Sequence, residues 1–103
     1  MSTATTYTIT VGLESPELTV EQCRAFALIA AAKYFPSGHT VIEATGRWES
    51  ERGIIDEPSL QIIVIGEGSA YRDAVSNFCR DYKRGCFQDC VLLQITKPDT
   101  IWV

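Results

Sequence analysis

"HTVIEATGRWESERGIIDEPSLQIIVIG", residues 39–66, is the stretch on which the fold turns. It holds two strand-like runs. In the first, residues 39–48, Ile42, Ala44, Gly46 and Trp48 alternate with Val41, Glu43, Thr45 and Arg47. In the second, residues 58–66, Leu60, Ile62 and Val64 alternate with Ser59, Gln61, Ile63 and Ile65. Alternation with period two is the signature of a strand with two unlike faces. Between the runs lie charged residues and Gly53, which read as a hairpin loop.

Outward from this hairpin the pattern is nearly symmetric. Upstream, residues 6–11, "TYTITV", alternate Tyr7, Ile9 and Val11 with threonines, a half-buried strand. After the loop "ESPEL", Thr19 with Gln22 three residues on reads as a capping box. Val20, Cys23, Ala27, Ala30 and Ala31 then form a helical stripe that should stop before Pro36. Downstream, Ser69 reads as the N-cap of a second helix, with Tyr71, Ala74, Val75, Phe78, Cys79 and Tyr82 on one stripe. Gly85 reads as its left-handed stop. Residues 89–96, "DCVLLQIT", form a fourth strand that Pro98 ends, and the apolar tail "DTIWV" is free to pair with a sheet edge or a second subunit.

The order is βαββαβ. With right-handed crossovers the two halves interleave into an α+β ferredoxin-like plait over residues 1–103. The expectation is one domain with a four-stranded antiparallel sheet, strand order 4-1-3-2, and both helices on one face. The helix side should hold Tyr7, Ile9, Val11, Ile42, Ala44, Trp48, Leu60, Ile62, Val64, Val91, Leu93 and Ile95. The other face should be polar with a few aliphatics: Thr8, Thr10, Glu43, Thr45, Arg47, Ser59, Gln61, Ile63, Leu92 and Gln94. Such a plait hosts many functions and names none.

Totals narrow the classes. The chain has 103 residues, 46% hydrophobic, with formal net charge −4. Its mean hydropathy is +0.03 and its pI about 4.8. An acidic domain of this kind argues against a nucleic-acid duplex as partner. No apolar run approaches the ~20 residues of a membrane span, and the first residues lack a signal-peptide pattern. A cytoplasmic address is the expectation. Cys23, Cys79, Cys86 and Cys90 do not fall into paired zinc knuckles. The expectation is therefore free thiols, no bound metal and no cofactor.

"FPSGHTVIEATGRW", "DEPS" and "YKRGCFQDCVL" resemble a family of small bacterial and phage proteins grouped as a domain of unknown function. Phe35, Pro36, Gly38, Thr40, Val41, Ala44, Gly46, Trp48, Glu57, Ser59, Tyr82, Phe87, Gln88 and Val91 carry the resemblance. It implies the plait fold and a bacterial or phage source, and it implies no activity.

Candidate ligand-binding residues are the family-matching Thr40, Trp48, Glu57, Ser59 and Gln88, with Glu43, Thr45, Arg47 and Gln61 from the sheet face expected to be open. Four have a structural alternative of their own: Thr40 in a turn, Trp48 in the core, Glu57 holding the hairpin, Gln88 capping a helix. "GEGS", residues 66–69, is too short for a phosphate loop and lacks its lysine. The leading expectation is a non-enzymatic binding protein, self-associating as a dimer or larger and sequestering a small anionic, nucleotide-like ligand of host immunity. One alternative is an acidic inhibitor that masks a basic surface of a host defence protein. Another is an oxygenase or phosphodiesterase using His39 and the hairpin carboxylates. Gly46, in mid-strand, is expected to make room for Trp48, a helix residue or a ligand.

Overall fold

The computed structural model describes residues 4–103. Its elements are β1 (Thr5–Gly12), α1 (Val20–Tyr34), β2 (Thr40–Ser50), β3 (Gly53–Gly66), α2 (Ser69–Gly85) and β4 (Leu92–Thr96). All strand pairs are antiparallel and the sheet order is β2-β3-β1-β4. This is the expected plait, read from its other edge.

Local chemistry explains the first helix well. The Thr19 hydroxyl accepts from Gln22 N–H while the Gln22 side chain accepts from Thr19 N–H, a complete capping box. Cys23, Ala27, Ala30 and Ala31 are its buried stripe, and small residues there let α1 lie close to the sheet. α2 buries Val75, Phe78 and Tyr82. With Tyr7, Ile9, Val11, Leu60, Ile62 and Val64 these form one core between helices and sheet.

The ends of α2 differ from expectation. Its N-cap is Gly68, at φ +87°, and no side chain caps it. Gly85 remains helical, and its missing side chain makes room for the Phe26 ring: a Cβ there would lie 2.4 Å from the ring. The left-handed residue is instead Phe87, at φ +56°. Gln88 N–H donates to Lys83 O at 3.0 Å and Cys86 N–H to Tyr82 O at 2.9 Å, a hydrogen-bonded C-terminal stop with an aromatic where glycine is usual.

The central hairpin holds two corrections. The expected charged loop is mostly strand: Ser50 pairs with Gly53, so only Glu51 and Arg52 turn. Gly53 takes φ +102°, and the Ser50 hydroxyl donates to Gly53 O and accepts from Arg52 N–H. β2 also presents the opposite face to that expected. Val41 pairs with Ile62 and Glu43 with Leu60, both core residues. The helix side of β2 is therefore Val41, Glu43, Thr45 and Arg47, and Ile42, Ala44, Gly46 and Trp48 lie on the open face. β2 has apolar residues at consecutive positions, Val41 and Ile42, so its alternation alone does not choose a face. Cross-strand register decides: Val41 reaches the core, and Arg24 of α1 reaches Glu43 at 2.8 Å.

Candidate functional site

The open face carries its polar chemistry at one end, where β1 finishes. Gly12 pairs there with Ser59 of β3, and Gly46 of β2 pairs with Glu57. Both glycines leave space that a neighbour fills. A Cβ on Gly46 would stand 3.0 Å from Trp48 Nε1 and 3.3 Å from two carbons of the ring. The indole thus folds back over Gly46, as the sequence suggests. A Cβ on Gly12 would stand 2.2 Å from Glu57 Oε1. The carboxylate therefore lies across the β1 backbone, in the volume of a missing methyl group.

Gly12 is also held from the core side. The Tyr82 hydroxyl of α2 donates to Gly12 O. Burial, followed by the neighbouring thiols Cys86 and Cys23, raises the Tyr82 pKa well above its ordinary value. It remains a neutral donor, so one backbone residue is fixed by the core on one side and carries Glu57 on the other.

Around Glu57 is a cavity of about 420 Å³, lined by Thr10, Gly12, Trp48, Gln88 and the segment 89–92. This is within the ~300–1,000 Å³ of small-molecule sites. Its walls are the indole, Val91 and Leu92. Its charged side chains are Glu57 and Asp89, and neither lysine nor arginine lines it. Burial pushes the Glu57 carboxyl above its ordinary value, Glu14 adds to this by like charge, and hydrogen bonding from the Trp48 side chain partly offsets both. Gln88 serves the wall: its amide N–H₂ donates to Glu14 O and, at 3.5 Å, to Cys86 O. That ties the loop after α2 to the loop after β1. Gln61 donates to the Thr10 hydroxyl at 3.3 Å, next to the cavity.

Of the nine candidates, Trp48, Glu57 and Gln88 converge here, with Gln61 adjoining. Ser59 lies between Ala44 and Gly12, and its buried hydroxyl has no protein partner. Thr40 stands at the far end of the open face, beside a separate cavity of about 260 Å³ that also involves His39 and Trp102. Glu43, Thr45 and Arg47 lie on the helix side. Glu43 pairs with Arg24, and Arg47 grips Asp56 with two hydrogen bonds of 2.7 and 3.2 Å. The cavity residues that sequence reasoning missed are Thr10, Gly12, Asp89, Cys90, Val91 and Leu92. Gly12, closing an alternating strand, was the available signal.

Among the described residues, no group of three His, Cys, Asp or Glu side chains converges as a metal site. Cys23 and Cys86 are buried, Cys79 is partly buried and Cys90 is exposed. No helix among the described residues is long and apolar enough to cross a membrane.

Solved structures similar to this chain include a phage SAM lyase in complex with S-methyl-5′-thioadenosine. It has TM-score 0.69 at 19% identity over 94% of this chain and 83% of that one. The phage SAM lyase in its apo state gives 0.67 at 20%, over 90% and 79%. CutA from Synechococcus elongatus gives 0.56 at 10%, over 92% and 76%. At these identities the likeness shows a shared fold. Among curated proteins none matches the chain. The family of proteins of unknown function DUF3574 matches residues 6–101, nearly the whole chain and the segments that carry the resemblance noted above; the chain belongs to that family.

Proposed function

We propose that this protein binds a small organic cation joined to a flat ring, in the chemical class of S-adenosylmethionine, in the cavity beside Glu57. The observation that carries the reading is a carboxylate seated on Gly12 against an indole, in a cavity without a basic side chain. A sulfonium would find its counter-charge at Glu57, and an adenine ring would find Trp48 and the aliphatic wall. The anionic ligand expected from the sequence would instead meet two carboxylates, so the sign of the ligand is revised. The fold it shares with a phage SAM lyase solved in complex with S-methyl-5′-thioadenosine supports the ligand class. The phage source of that protein agrees with the anti-defence setting expected from the sequence. Self-association belongs to the same reading.

The rival, masking a basic host surface, rests on overall charge, and several of the acidic groups it would use already hold Arg24 and Arg47. A plait enzyme using His39 is disfavoured: His39 lies by the other cavity, its Nδ1 3.1 Å from Phe35 O. Breakdown of the ligand is a second reading, favoured by the raised Glu57 carboxyl, which is a stronger base than an ordinary glutamate.

Calorimetric titration with S-adenosylmethionine, S-methyl-5′-thioadenosine and cyclic nucleotides tests the proposal. The cation should bind more tightly than its neutral thioether relative, and Glu57→Gln should erase that preference. Binding of cyclic nucleotides in preference to both would overturn it. Conversion of S-adenosylmethionine to S-methyl-5′-thioadenosine on incubation would favour the lyase reading over sequestration.

A further inference from the structure

The molecule is longer and exposes more surface than its size requires. Its radius of gyration is 14.4 Å, against about 13 Å for a compact domain of this length. Its accessible surface is 6781 Å², against about 5,800 Å² for a compact monomer of this mass. The excess, about 1,000 Å², is more than the roughly 800 Å² that one partner gives up in an interface of standard size.

The hairpin is one visible source of the excess, beside the exposed Ile101, Trp102 and Val103. β1 ends at Gly12, opposite Ser59, while β2 and β3 stay paired as far as Ser50 and Gly53. The far part of the hairpin is thus a two-stranded arm beyond the sheet, and such ribbons are marginal alone in water. Among its charged residues this arm also exposes large apolar ones. Trp48 is 46% exposed, Ile54 69% and Ile55 38%. Trp48 and Ile55 lie on the open face and Ile54 on the other; on the open face Leu92 is also 48% exposed. Trp48 and Leu92 are also cavity walls, so the apolar patch runs continuously into the cavity mouth.

We infer that a second copy of this chain packs on the arm and this rim, closing the Glu57 cavity, so that the ligand site lies between copies. The ligand part rests on the reading proposed above. Charge favours a copy as occupant. The arm, residues 47–56, carries Glu49, Glu51 and Asp56 against Arg47 and Arg52, a net charge of −1, and α2 ends in Lys83 and Arg84 just before the loop that walls the cavity. One chain therefore supplies both a weakly acidic projection and a basic receiving end. That suits a head-to-tail ring in which every copy uses both.

The test begins with mass by sedimentation equilibrium at micromolar chain. A multiple of the 11.4 kDa chain is expected, and a single-copy mass for the wild type overturns the inference. The second step uses Ile54→Glu with Ile55→Glu, on the arm and outside the cavity lining. Far-UV circular dichroism should be unchanged, the mass should fall to one chain, and affinity for S-methyl-5′-thioadenosine should drop at least tenfold. A folded single-copy variant with wild-type affinity overturns the shared site. Should the variant unfold, dilution of the wild type through its dissociation range replaces it: affinity must fall as the mass falls, and constant affinity overturns the shared site. A wild type that assembles but binds no probe upholds the interface and counts against the ligand reading alone.

Discussion

Gly12→Ala is the sharpest single perturbation of the site. The new Cβ would stand 2.2 Å from Glu57 Oε1 and 2.9 Å from its Cδ. Real Cβ atoms stay beyond about 3 Å, so the carboxylate must retreat by roughly 1 Å, close to the range over which a hydrogen bond is lost. It can do so, because it is the end of a flexible side chain. Gly12 is not left-handed, and replacing it with alanine stiffens the unfolded chain, a gain of about 0.4–1 kcal/mol. Displacing a charged hydrogen bond costs about 1.5–3 kcal/mol, and partial exposure of Glu57 puts this case at the lower end. The net loss is about 1 kcal/mol, or roughly 4–8 °C in Tm for a domain this size. Function should suffer more, since the counter-charge has left its seat: affinity for S-adenosylmethionine should fall at least tenfold while Tm moves only modestly. In a Trp102→Phe background, Trp48 emission should shift to the red. Unchanged affinity and emission together would refute the argument that Gly12 positions the carboxylate.

The remaining predictions follow from single observations. The folded Glu57 pKa lies above its ordinary 4.5, so the native state holds a proton that the unfolded chain releases, and stability falls as pH rises from 4.5 through the raised value; Glu57→Gln should remove that slope in urea melts at stepped pH. Over the same window the affinity for S-adenosylmethionine should rise with pH in the wild type and stay flat in Glu57→Gln. Phe87→Gly should raise Tm by several degrees, because relieving a left-handed non-glycine residue is worth about 1–2 kcal/mol and the ring is 54% exposed; no rise would mean that a partner or a second copy holds the ring. Gly85→Ala should lower Tm, because overpacking against Phe26 costs about 1–3 kcal/mol and outweighs the roughly 1 kcal/mol helix gain.

The plait was legible because its signals were local. Thr19 with Gln22 marked a helix start, Pro36 marked an end, and three strands alternated cleanly. β2 was not legible to the same depth. Its face depends on which β3 residue sits opposite which β2 residue, a fact about register that no window of β2 contains. The hairpin length was misjudged for a related reason: charges between Arg47 and Glu57 looked like a loop, yet Arg47 and Asp56 are cross-strand partners. Opposite charges facing each other stabilise a ladder as β-branched pairs do.

The site was half legible, and the missing half explains the rest. Side chains announce themselves in a sequence, so Trp48, Glu57 and Gln88 could be singled out. Space does not announce itself. Gly12 and Gly46 act by what they lack, and their effect exists only once β1, β2 and β3 are in register: Gly46 across from Glu57, Gly12 across from Ser59 two residues on. The reversed face of β2 belongs to the same argument. Had Ile42 and Trp48 been core residues, the open face would have been the ordinary polar side of a solvated sheet. With them turned outward it becomes an apolar surface with one carboxylate set into it. Water alone would not favour that surface, whereas a cation beside Glu57 and a second chain over Trp48 would each remove part of it from water.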